Sequence, residues 1–122
     1  MKSKNLLEEK IKFYQLRINK TIKAFNYATI LVKEELIKLN HNDPRRNAFA
    51  KYSFKLEEIL NDINDLTDEL NIYINHKDII TTNDSRVSKT IDMLSRLEDK
   101  ATDILTTLQS IAIYLENLKK EA

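Results

Sequence analysis

Between Phe49 and Tyr73 the apolar positions fall at Phe49, Tyr52, Leu56, Ile59, Ile63, Leu66, Leu70 and Tyr73. The steps alternate three and four without a break. A side chain returns to the same face of a helix after three or four residues, so these eight groups form one narrow stripe on a helix. Such a stripe needs a partner, and the chain carries two more.

The first lies upstream, on a helix expected over about 4–39. Its apolar line runs Leu7, Ile11, Tyr14, Ile18, then Ile22, Phe25, Thr29, Val32, Leu36 and Leu39. The line shifts by one position after Ile18, as a straight helix of 3.6 residues per turn would require. At 1.5 Å per residue this rod is ~54 Å long. The third stripe lies on a helix expected over about 86–120. Val87, Leu94, Ala101, Leu108 and Leu115 hold one position of its repeat, and Thr90, Leu97, Ile104, Ile111 and Leu118 the other.

Two polar segments separate the stripes. In the first, Asp43 precedes Pro44, which reads as an N-cap followed by proline at the first helical position. The second helix is therefore placed over about 44–76. In the other segment, Ile79 and Ile80 are expected to fold back over the bundle end, with Asp84 or Ser85 capping the third helix. Short connections make sequential helices antiparallel. The fold expected is all-α: one up-down-up three-helix bundle of coiled-coil type, filling residues 1–122 as a single domain. This layout resembles spectrin-like repeats and other small three-helix modules. The resemblance rests on heptads alone and transfers no functional residue.

Composition sharpens the picture. The chain has 122 residues, no Gly, no Cys and one Pro. Without glycine it lacks the residue that tight hairpins and phosphate-cradling loops depend on. Without cysteine there is no disulfide, thiolate metal site or thiol nucleophile. No stretch approaches the ~20 apolar residues of a membrane span, and no apolar run at the start reads as a signal peptide. The location expected is cytoplasmic. Lys-rich, Ile-rich and Asn-rich usage fits an A+T-rich genome such as that of a phage or a low-GC bacterium.

Net charge is only +1, yet it is unevenly spread. Residues 1–42 carry nine basic and four acidic side chains, residues 43–76 four and seven, and residues 77–122 seven and eight. Folding at the first turn would set the acidic run from Glu57 to Glu69 beside Arg17, Lys20 and Lys23. The expectation is that opposite charges set the helix register, with Glu98, Asp99 and Asp103 of the third helix also level with the basic middle of the first, and that Lys51 lies near Glu34 and Glu35.

Candidate chemistry is sparse. His41 and His76 fall at opposite ends and cannot share a metal. No Glu has a His three residues later, as a di-iron bundle would need. The reading is of a protein that is not an enzyme and holds no cofactor. Arg45 and Arg46 stand out because cations in a first helical turn oppose the helix dipole. A bound anion or an acidic partner would relieve that conflict. A second anomaly is apolar surface off the stripes: Leu6, Phe13, Tyr27, Ile30 and Ile37 on the first helix, Phe54 on the second and Ile113 on the third. These residues either widen the core or form an interface. The function expected is protein–protein interaction, as an adaptor, inhibitor or assembly subunit. It would work through the off-stripe face of helix 1 and the first-turn end, with a homodimer as the simplest form. The alternative is nucleic-acid binding through Arg45, Arg46 and the lysines of helix 1.

Overall fold

A computed structural model describes residues 2–121, with side chains from residue 4 onward. It contains four helices: α1 (Lys2–Lys38), α2 (Arg45–Asn75), the single turn α3 (Lys77–Ile80) and α4 (Asp84–Lys120). The three long helices pack as an antiparallel bundle, and the described residues contain no strand. α1 and α4 run in the same direction and pack most closely; α2 and α4 meet along a thinner seam.

The first turn forms as its residues dictate. Pro44 already has helical angles, φ −58° and ψ −28°. The Asp43 carboxylate accepts the Arg45 backbone N–H at 2.9 Å, satisfying a donor that the first turn leaves open. The other connection differs in two respects from expectation. The cap of α4 is Asn83, not Asp84 or Ser85; its side chain accepts from the backbone N–H groups of Ser85 and Arg86. Asn83 is extended (φ −145°, ψ 120°), the geometry from which its short amide reaches those groups. Of the two isoleucines, only Ile80 packs against the core; Ile79 stays exposed because α3 turns it outward.

The core is a column in two sections. Leu7, Ile11, Tyr14 and Ile18 of α1 meet Leu66, Leu70, Val87 and Leu94 at one end. Leu31, Val32, Phe49, Leu56, Leu108 and Leu115 fill the other. Ile22 and Ile104 touch both sections. All eight α2 positions point inward; six are fully buried, and Tyr52 and Tyr73 are half-buried at the rims.

The α1 stripe departs from expectation past Ile18. The buried line does not drift: it keeps strict seven-residue spacing through Leu7, Tyr14, Thr21, Ala28 and Glu35. Of the expected continuation Val32 is buried as foreseen, while Ile22, Phe25, Thr29, Leu36 and Leu39 are only half-buried beside the line. Supercoiling holds a seven-residue line against its neighbours where a straight helix would lose it. The small groups Thr21, Ala28 and Ala101 let α1 and α4 approach closely at the waist. There the Thr21 hydroxyl donates to the Arg17 carbonyl at 2.8 Å and lies 3.5 Å from the Ala101 carbonyl of α4.

The charge register also differs from expectation. Among the described residues the ion pairs are Lys10–Glu98, Arg45–Asp43, Lys55–Glu58, Lys77–Glu8 and Lys119–Glu35. None joins the acidic run of α2 to Arg17, Lys20 or Lys23, and Glu35 pairs with α4 instead of Lys51. The carboxylates of the α2 run instead border a groove toward α4, where Lys100 stands among Asp62, Asp65 and Glu69.

Candidate docking surface

The off-stripe apolar residues do not widen the core. Leu6, Phe13, Tyr27, Ile30 and Ile37 of α1, Phe54 of α2 and Ile113 of α4 are all exposed, Ile37 to 85%. Those on α1 are ordered. Leu6, Phe13 and Tyr27 share one heptad position; Leu16, Ile30 and Ile37 share the position three residues on. Leu16, 64% exposed, belongs to this row and carries the same seven-residue signal that finds the others. The row is a second heptad stripe, nearly opposite the buried one, with Lys20 and Lys23 at its centre. Phe54 and Ile113 are exposed on the other two helices and lie outside this row.

Tyr27 is the member tied most firmly to its neighbours. Its hydroxyl donates to the Glu116 carboxylate of α4, and that bond holds the phenol pKa above its ordinary value. Ile113 lies one turn before Glu116 on the same helix. The α1–α4 side of the bundle therefore presents Tyr27 fixed in orientation, with its ring half in water.

Arg45 and Arg46 are placed quite differently. Arg45 clasps the Asp43 carboxylate with two nitrogens, at 3.1 and 2.8 Å, and donates from the third to the Glu121 carbonyl just past α4. This contact holds the Asp43 carboxyl below the usual carboxylate range. Arg46 donates to the Leu36 and Leu39 carbonyls at the end of α1. α1 and α4 both end here, so their negative dipole ends and free carbonyls gather beside the first turn of α2. The dipole conflict apparent in sequence is thus resolved inside the chain: these cations cap the two neighbouring helices.

Beside them lies Glu35, expected near Lys51 on an open face and found buried instead. It is 5% exposed, and one carboxylate oxygen has no hydrogen-bond partner. Lys119 Nζ stands 3.7 Å away, an ion pair without a formed hydrogen bond. The heptad line 7, 14, 21, 28, 35 was the available signal. At the opposite end the Tyr14 hydroxyl donates to the Leu66 carbonyl at 3.3 Å, and burial pushes its pKa up.

His41 and His76 are exposed in different turns, and His76 Nδ1 lies 2.8 Å from its own helix's Ile72 carbonyl. Among the described residues no cluster of three or more His, Asp or Glu is placed to hold a metal ion, and no helix is long and apolar enough to cross a membrane. Compared with protein-family models, curated proteins and solved structures, the chain matches none.

Proposed function

We propose that this protein is a non-catalytic interaction module whose outward α1 face docks another protein. One observation carries the reading: a heptad-ordered row of six apolar side chains stays in water on a helix whose inner face is already satisfied. Scattered apolar residues on a surface need no explanation, but a row at helical spacing offers anchors to a partner helix. The three-helix core supplies the rigid backing that such a face needs. Arg45 and Arg46 serve in this reading as braces for the bundle end, not as contacts.

The test is a comparison of two baits in the native cell. Wild-type protein and the Ile30→Asp/Ile37→Asp variant would be used to capture partners, read by mass spectrometry. A protein held by the wild type and lost by an equally helical, equally stable variant supports the proposal. Identical capture by both baits refutes it.

A further inference from the structure

We infer that the partner of the α1 face is the outward face of α2 in a second copy of this chain; this rests on the docking role proposed for α1. α2 carries an outer row of its own, also stepping by three and four: Lys51, Phe54, Glu58, Asn61, Asp65, Asp68 and Ile72. All of these side chains are exposed. The two rows are complementary in charge. The α1 row has Lys20 and Lys23 at its centre, with no carboxylate paired to either among the described residues. The α2 row has Asp65 and Asp68 at its centre, likewise without a paired cation.

An antiparallel alignment that sets Lys20 opposite Asp65 leaves Lys23 opposite Asn61 and aligns most of the other positions. Phe13 then faces Ile72, Ile30 faces Phe54, and Glu34 faces Lys51. Tyr27 faces Glu58, while Leu16 beside Asp68 is the poor match. Apolar anchors thus flank a charged centre on both rods, the arrangement that fixes direction and register in helix pairing. Pairing α1 with α1 of another copy would instead bring the lysines of both chains together. Within one chain the two rows point away from each other, so they meet only between molecules. Each copy then offers one donor face and one acceptor face. Such a head-to-tail contact grows into a chain or closes into a ring, and does not stop at a two-fold dimer.

The experiment is sedimentation velocity over a rising concentration series, with charge reversals on each row. The wild type should associate beyond a dimer, less so in high salt. Lys20→Glu/Lys23→Glu alone and Asp65→Lys/Asp68→Lys alone should each weaken association about a hundredfold or more, since like charges then face each other at positions 20 and 65 and surround them. An equimolar mixture of the two should associate again. The neutral variants Lys20→Gln/Lys23→Gln and Asp65→Asn/Asp68→Asn should each give a milder loss alone; mixed, they restore one wild-type contact and should stop at a one-to-one pair, with helicity unchanged throughout. A wild type that stays monomeric overturns the inference. So does an α2 reversal that leaves association intact, or a mixture that fails to re-form. A monomeric wild type that still loses its captured partner on the Ile30→Asp change would defeat the second copy and leave the docking role of α1 standing.

Discussion

Arg46 of α2 donates to the carbonyl oxygens of Leu36 and Leu39, at 2.5 and 3.2 Å, and so closes the C-terminus of the neighbouring α1. Together with Arg45 it turns one end of the bundle into a mutual cap. The first turn of one helix satisfies the last turns of two others. Charge-assisted hydrogen bonds are stronger than neutral ones, and here they replace water at carbonyls that no helical partner can reach. Arg46→Ala should therefore destabilise the fold by ~1–2 kcal/mol, measured by urea unfolding. Arg46→Lys should recover only part of the loss, because both bonds come from the terminal Nη1 and the shorter lysine stem must place its ammonium at that same point.

Glu35 gives the opposite sign. Its carboxylate is buried with one oxygen unpartnered, is matched by Lys119 at 3.7 Å and feels the Arg45 guanidinium from further off. Replacing a poorly compensated buried charge with an apolar group of similar size is often stabilising. Lys119 is 43% exposed, so its ammonium can turn to water when the carboxylate is gone. Glu35→Met should raise stability by about 1 kcal/mol. Lys119→Met, which strands the carboxylate, should lower it. Thermal melts of the two variants decide the matter by their opposite directions.

Tyr14 sets an alkaline limit. Its hydroxyl is buried against Leu66, and its folded pKa lies above the ordinary 10.0. Above pH 10.0 the unfolded chain therefore loses this proton while the folded chain retains it. The stabilisation is complete below that pH and is lost as pH rises toward the folded pKa. Tyr73 is shifted the same way, first by burial and then by Glu69. Circular dichroism from pH 9 to pH 12 should show wild-type stability falling more steeply than that of Tyr14→Phe.

Thr21 and Ala101 are buried against each other between α1 and α4, the Thr21 hydroxyl 3.5 Å from the Ala101 carbonyl. Ala101→Leu should force the helices apart and lower stability by ~1–3 kcal/mol, read from denaturant midpoints. Asn83→Ala, which removes the cap of α4, should lower it by ~1 kcal/mol.

Much of this architecture is legible in the sequence, for identifiable reasons. Eight α2 positions stepping by three and four have no competing interpretation, and the Asp43–Pro44 pair marks its helix start. What is not legible follows from local rules meeting tertiary ones. Hydrophobicity alone favours Ile22, Phe25 and Thr29 as the continuation of the α1 line. Packing instead chooses Thr21 and Ala28, because closely approaching helices need small residues more than oily ones, and the same seven-residue line carries Glu35 inward although it is not small. Asp84 is as good a cap by type as Asn83, and only the backbone geometry separates them. The charge register misleads because opposite blocks of charge at the same height can still face different directions. Of the candidate surface, Ile30, Ile37 and Phe54 stand out by periodicity. The inward role of Arg45 and Arg46 depends on two helix ends that converge only in the fold.

The claim beneath the functional reading is that the outer row of α1 contributes nothing to the core. The thermal melt of Ile30→Asp/Ile37→Asp/Phe54→Asp tests it most directly. Buried isoleucines or phenylalanines replaced by carboxylates would cost several kcal/mol, whereas surface changes usually stay within ~0.5 kcal/mol each. Full helicity and a midpoint shifted by no more than a few degrees is the result the exposed row predicts. A triple variant that is unfolded at room temperature would show those side chains to be core, and would contradict a docking face on α1.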